Sequence, residues 1–432
     1  MGQLFLIAFR NLVQHRRRTL LLGGAITGVT LLLVLVLGLT HGVSETMMRS
    51  ATTVSTGHLN VGGFYKVTSG MAAPVVTDYE RVREIVKHQP GVAFVVDRGR
   101  GWARVVSDTG SMQLGINGID IRQEKGLREV LSITSGNLDD MAKKNGLLIF
   151  EQQAEKLGVK VGDSVTLSAP TPRGVNNTMD AVIVAIARDV GLLSNFSVFL
   201  NNDGLRGLYQ LNPHTTGALQ VYLNDIKQAS QMKPKLRQAL EQAGYTVMAD
   251  DPRPFFMKFD TVNREAWTGQ RLDVTTWEDE TSFFSWTVLI VNLLSGLLIA
   301  VLIGIISVGV MNALWIAIRE RTREVGTLRA IGMQKGRVLM MFLIEGFLLG
   351  LMSTVLGAVL SVVVAAVVNA LNQPVPSAVQ LFVMSNTIRF LVTPGAVTFA
   401  VLFLTGCTTF VSLFPSFIAA RMKPITAMHH IG

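Results

Sequence analysis

Four stretches of this 432-residue chain constrain its fold more than any other feature, because they contain no charged side chain. Residues 19–40, 281–318, 346–386 and 390–420 hold no Asp, Glu, Lys or Arg. About 20 consecutive apolar residues are enough to cross a bilayer core as a helix, so four membrane spans are expected. Composition agrees: 49% hydrophobic and 16% charged residues lie far from the usage of a water-soluble domain.

The net charge of +9 would suit a nucleic-acid partner if it were spread over a folded surface. It is not. Residues 1–18, 318–338 and 420–432 together carry twelve basic and two acidic residues, whereas 42–283 carries 26 basic and 27 acidic ones. All the excess therefore sits in short segments beside spans, as the positive-inside rule requires. This excludes nucleic acid as the partner. It places both termini and 318–338 in the cytoplasm, with 42–283 and 372–394 outside. The first apolar run is longer than a signal-peptide core and lacks a small-residue cleavage site, so it reads as an uncleaved anchor. The single cysteine, Cys407, lies in the fourth span, so the outer domain contains no disulfide.

The expected fold is an α-helical membrane protein with four transmembrane helices. A large α+β extracytoplasmic domain is inserted between the first and second. In order, the segments are a cytoplasmic amphipathic helix (1–18), the first span (19–41) and the outer domain (42–282). The second span with a protruding stalk (283–317) and a charged cytoplasmic helix (318–337) follow. The third span (338–371), an outer loop (372–392), the fourth span (393–419) and a cytoplasmic tail (420–432) complete the chain. Within the outer domain, "GVAFVVDRGRGWARVV" and "SMQLGINGID" alternate like strands, while "DYERVREIVKHQ" has helical spacing. The domain is expected to have two lobes. Pro170, Thr171, Pro172, Arg173 and Gly174 open a Pro- and Asn-rich stretch between two strand-like runs. It reads as a projecting hairpin or loop that recruits an extracytoplasmic partner. Gly24 with Gly28, and Gly346 with Gly350, are spaced for close helix packing. Glu345 is the one acidic residue in the spans and is expected to snorkel to the cytoplasmic interface.

No phosphate-binding loop, metal-ligand spacing or nucleophile signature is present, so a non-catalytic membrane protein without a bound cofactor is expected. The sequence "IRERTREVGTLRAIGMQKGRV" is the exception to a lipid-adapted chain. It keeps Ile318, Val325, Leu328 and Ile331 among its charges and ends at Gly332, the pattern of a shaped helix rather than a loose basic tail.

Together, "MNALWIAIRERTREVGTLRAIGMQKGRV", "FLIEGFLLGLMSTVLG", the opening "AFRNLVQHRRRTLLL", the closing "FIAARMKPITAMHHIG" and "EQQAEKLGVKVGDSVTL" resemble the FtsX-like ABC permease family. That family includes the MacB, LolC and LolE permeases. The resemblance implies that 318–338 docks on a separate cytoplasmic ABC ATPase dimer, which binds the ATP and Mg. Glu320, Arg323, Glu324 and Arg329 would carry the contact, with Gly326 and Gly332 permitting close approach. It also implies a second permease copy or sister permease, membrane lipid as surroundings, and a periplasmic carrier or adaptor protein. The location implied is the bacterial inner membrane. Lipoprotein release, efflux of drugs or peptides, and regulation of a cell-wall hydrolase remain open as functions.

Overall fold

The computed structural model describes residues 2–68, 71–320, 322–373, 387 and 389–421, and the chain divides into two compact units. The closing motif beyond Arg421, most of the 372–392 loop and Arg321 lie outside the described residues.

The helical unit is built from α1 (Gly2–Gln14), α2 (Arg16–Ala51), α3 (Ser285–Glu320), α4 (Thr322–Ala330), α5 (Lys335–Leu371) and α6 (Pro394–Arg421). Among these, α2, α3, α5 and α6 are long and apolar enough to cross a membrane. With 36 residues, α3 is about 54 Å long at 1.5 Å per residue, well beyond a bilayer core. Leu293, Leu297, Val301 and Ile305 of α3 are exposed, as are Val355, Val359 and Val363 of α5. Between the helices, Ile26, Leu33, Val34, Ile306, Val310 and Leu404 form a buried apolar cluster, and small polar groups pair beside it. Thr27 Oγ1 donates to the Ser353 carbonyl at 3.1 Å, and the Thr354 and Thr405 hydroxyls meet at 3.0 Å. Lipid solvates apolar side chains as well as a protein core does, so packing in such a unit relies on small residues and hydrogen bonds.

The four glycines expected at helix contacts divide. A Cβ on Gly346 would lie 2.8 Å from Ser412 Oγ, and one on Gly350 would collide with Thr408, so α5 and α6 approach closely there. Gly24 and Gly28 face no neighbour within 4 Å. The close approach of α2 is made instead by Gly23 against Ser353 and by Gly357 of α5 against the Thr27 carbonyl. One residue is 100° of rotation on a helix, and neighbours, not spacing, set which glycine faces inward.

The first helix packs one face on α5. Ala8 and Leu12 are buried against Leu348 and Ile344 of α5, while Phe5, Leu6, Phe9 and Val13 stay exposed. Glu345 is only 2% exposed and does not snorkel. It borders a small cavity of about 20 Å³ with Leu12, Thr19, Ile26 and Thr408. α5 starts three turns earlier, at Lys335, and the packed α1 closes the route outward.

The second unit spans Glu45–Thr287. Its strands are β1 (Leu59–Lys66), β2 (Val76–Thr77), β3 (Val92–Val106), β4 (Ser111–Ile119), β5 (Ile133–Gly136) and β6 (Gly146–Phe150). They continue with β7 (Ser164–Pro170), β8 (Asn176–Ala187), β9 (Ser197–Asn201), β10 (Thr215–Thr216), β11 (Ala218–Leu223) and β12 (Gly269–Thr276). The main sheet runs β12-β1-β11-β3-β4-β9-β6-β8-β5, with β7 bridging β3 and β8. Most pairs are antiparallel, but β4–β9 and β6–β8 are parallel.

Two cores divide this sheet. One gathers Leu59, Val61, Val95, Leu219, Val221 and Val274 with helical residues Val82, Val86, Leu236 and Leu240. The other gathers Ala103, Val105, Leu114, Leu147, Ile149, Leu167, Ile183 and Val198. β3 is 15 residues long and serves both, pairing with β11 through its first half and with β4 through its second. Its middle, residues 95–101, is buried on both faces, which is why Asp97, Arg98 and Arg100 end up inside.

Candidate functional site

The charged segment between α3 and α5 is not one helix over 318–337. α3 runs on through Ile318 to Glu320, α4 occupies Thr322–Ala330, a turn follows, and α5 begins at Lys335. Gly332 is the cause of the break, with φ at +104°. The Met333 amide donates to the Leu328 carbonyl at 3.0 Å and the Gly332 amide donates to Arg329 at 3.2 Å. This 6→1 plus 5→2 pair is a Schellman end, which needs a left-handed residue where Gly332 stands.

Beneath α4, Ile318, Val325, Val338, Met341, Phe342, Ala419 and Ala420 form one buried cluster, with Met333 packed against it. Gly326 is buried beside Val325. Arg329 is half-buried and does not point outward. Its Nη1 donates at 2.9 Å to the Ala420 carbonyl, in the last turn of α6, where helical carbonyls lack intrahelical donors. Arg329 therefore ties the segment to α6 instead of presenting charge.

What remains outward is specific. Glu320, Arg323, Glu324 and Thr327 are exposed, and so is Gly332. Ile331, one of the apolar residues among the charges, is 80% exposed because it falls at the Schellman cap, where the helical rotation has stopped. Thus a mixed acidic and basic edge stands next to one large apolar side chain, on a backbone fixed by the cluster below. Such a surface is suited to docking a folded partner; it has no reactive chemistry. Among the described residues, no group of three or more His, Cys, Asp and Glu side chains gathers in metal-binding geometry.

The second predicted site changes more. Strands β7 and β8 pair from Ser164↔Val182 through to Pro170↔Asn176, so of the hairpin and loop expected for this stretch the structure has the hairpin, closed by a short turn. The Thr171 amide donates to the Val175 carbonyl, and the Gly174 amide to the Thr171 carbonyl, both at 2.9 Å. Thr171 is buried, Pro172 half-buried, and Pro170, Arg173 and Gly174 exposed. Asn177, taken in the sequence as loop, donates to the Leu208 carbonyl at 2.9 Å. β-ladder pairing captured the Asn residues that composition alone assigned to a loop.

Charge placement inside β3 was missed altogether. Arg98 is buried, with its Nε and Nη2 donating to the two Glu124 carboxylate oxygens at 2.6 and 2.7 Å. Nη1 and Nη2 also donate to the Val54 and Thr53 carbonyls at 2.7 and 2.8 Å. Lys258 and Asp273 form a second buried pair at 2.7 Å. A usable signal was present in "VVDRGRGW", where charges interrupt a strand between glycines.

Part of the helical unit also matches a known family. Residues 296–424 fit the family model described as FtsX-like permease C-terminal. The match takes in most of α3, all of α4 and α5, and α6, and so includes the charged segment around α4. Over 294 residues the chain is 24% identical to the lipoprotein-releasing system transmembrane protein LolC of Haemophilus influenzae, which covers 66% of this chain and 64% of that one. It is 30% identical over 130 residues to the macrolide export ATP-binding/permease protein MacB of Campylobacter jejuni, covering 30% of this chain and 18% of that protein. The matches therefore span less than two thirds of these relatives' lengths. Among solved structures, the extracellular domain of the transporter YknZ from Gram-positive bacteria overlaps with 49% of this chain and 98% of its own. Its identity is 15% and the TM-score 0.31. The periplasmic region of MacB from Actinobacillus actinomycetemcomitans overlaps with 44% and 85%, at 12% identity and a TM-score of 0.30. The FtsX-like similarity lies in residues 296–424 and does not rest on these overlaps.

Proposed function

We propose that this chain is the permease subunit of an ABC transporter of the MacB and LolC type, seated in a bacterial inner membrane with both termini cytoplasmic. A separate ATPase dimer binds ATP and Mg and docks on α4, and a second permease copy or sister chain completes the assembly. The observation that carries this reading is the α4 surface. Charged Glu320, Arg323 and Glu324 and apolar Ile331 are held outward on a backbone locked by Gly332 and by Arg329. A rigid protrusion transmits a push; a loose basic loop does not. ATPase closure would move α4 and, through α3, the outer unit, so that cargo moves without a solute channel. The cargo proposed is a lipoprotein or another lipid-anchored molecule.

Efflux of drugs or peptides through an adaptor is the second reading. The five-residue turn at 171–175 favours it, because so short a turn offers a carrier protein little surface.

Orientation and coupling are tested together. Single cysteines at Thr327 and Ser107, in a Cys407→Ala background, are treated with an impermeant maleimide on intact cells. Labelling at 107 alone is expected, and labelling at 327 from outside would reverse the topology. Purification of the tagged chain from its native host should carry an ATPase along, and the chain stripped of it should hydrolyse no ATP.

A further inference from the structure

The outer unit contains a cavity of about 310 Å³, within the range of small-molecule sites. Its wall is aromatic, with Trp102, Phe255, Phe256 and Phe283, and it holds two charged groups, Arg100 and Glu280. Arg100 follows Arg98 by two residues on β3, so both lie on one face of the strand. Arg98 has a carboxylate and two carbonyls. Arg100, 8% exposed, has neither. Its Nη2 donates to Asn60 Oδ1 at 2.6 Å, and the guanidinium lies 4.5 Å from the Phe255 ring centre. Among the described residues no carboxylate comes within ion-pair distance of it.

The neighbouring carboxylates are engaged elsewhere. Glu280 accepts from Thr275 Oγ1 at 2.7 Å and from the Phe255 amide at 3.4 Å. Asp273 is held by Lys258. Burial accordingly pushes the Arg100 guanidinium below its ordinary pKa, with Glu280 and Asp273 pulling the other way. A buried cation without an ion pair is costly, and it is retained where an anion is to be bound. The remaining donors form a fork suited to a carboxylate or phosphate, and the aromatic wall can cover a chain but cannot hydrogen-bond one. Glu280 lines the same space, so repulsion rises with ligand charge and favours a monoanion over a phosphate dianion. Phe283 is two residues before the first residue of α3, where the chain enters an apolar span, so an amphiphile fits the location better than a free ion.

We propose that this cavity binds a single-chain carboxylate amphiphile, with its head on Arg100 and its chain among Trp102, Phe255, Phe256 and Phe283. This site stands independently of the ATPase-coupled reading. Full-length protein in phosphatidylcholine nanodiscs is titrated calorimetrically with octanoate, octanol and octyl phosphate, with heats into empty nanodiscs subtracted. Octanoate should saturate one site per chain, and octanol should bind about tenfold more weakly, the worth of a charge-assisted hydrogen bond. Arg100→Gln should cut octanoate affinity about tenfold and leave octanol nearly unchanged. Phe256→Ala, at a half-buried wall position, should weaken octanoate and octanol alike. No saturable octanoate heat, or equal octanoate and octanol affinity, overturns the proposal. Tighter binding of octyl phosphate overturns the carboxylate assignment. If Arg100→Gln does not fold, Phe256→Ala decides, and unchanged affinity in that variant also overturns it.

Discussion

Charged side chains play opposite parts in the interior of the outer unit and in the segment around α4. On β3, Arg98 is buried and joined to Glu124 and two backbone carbonyls, and nearby Lys258 is joined to Asp273. Around α4 the apolar residues are buried while Glu320, Arg323 and Glu324 face outward, and Ile331 stands exposed among them. In the first region a charge is matched within the chain, and its removal harms folding. In the second, the charges lie at the surface, and their removal should harm assembly with another molecule while folding stays intact. Arg329 shows that the boundary runs through α4 itself, because its charge is directed to the Ala420 carbonyl.

Four measurements would break or sharpen that contrast. The largest effect is expected for Glu124→Ala, which strands the Arg98 cation inside the sheet. A loss of about 3–5 kcal/mol follows from breaking one half of a buried pair, read as a large fall in denaturation midpoint. A change below about 1 kcal/mol, the range of exposed pairs, would mean that Arg98 is satisfied by carbonyls alone.

Glu324→Lys should leave the unfolding midpoint unchanged and weaken ATPase docking by about 1–3 kcal/mol, measured by binding of the purified ATPase to nanodiscs. A shifted midpoint with unchanged docking would move Glu324 from the second class to the first. Ile331→Ser should cost about 1–2 kcal/mol of docking, the worth of burying one such side chain in part, again without loss of stability. Equal docking by this variant would leave Ile331 an idle exposed residue.

The smallest effect concerns pH. Burial raises the Asp189 carboxyl above its ordinary value of 3.8, with the Gln152 amide pulling it back, and its Oδ1 has no hydrogen-bond partner. A carboxyl with a raised folded pKa contributes its stability below the ordinary value and loses it as pH rises through the folded one. Asp189→Asn should therefore raise the melting temperature slightly at pH 7 and have no such effect at pH 3. Thermal unfolding at the two pH values checks the sign. A gain confined to pH 3 would contradict it.

The four apolar spans and the Gly-ended charged segment between α3 and α5 were legible because each depends on local properties. Lipid selects uncharged runs of a set length whatever surrounds them, and a Gly after an apolar-charged helix ends it wherever it occurs. The surface of the charged segment was legible in part. Glu320, Arg323 and Glu324 face outward, whereas Arg329 turns to the Ala420 carbonyl once α4 is packed.

Long-range geometry decided the rest. Gly346 and Gly350 face α6 while Gly24 and Gly28 face open space, because the rotation of a helix about its axis is set by its neighbours. Glu345 is enclosed because α1, more than 300 residues away in the chain, folds across α5. Composition left Thr171 to Asn177 as a hairpin or a loop, and the pairing of β7 with β8 down to Asn176 decides for a hairpin closed by a turn. Arg98 and Arg100 are the same residue two positions apart on one strand, and no local pattern separates them. Only the arrival of Glu124 beside one, and of an aromatic cavity beside the other, makes the first a structural ion pair and the second an open cation. Spans and caps are set by what each residue does to its own backbone and solvent; pairing and access are set by which distant residues arrive.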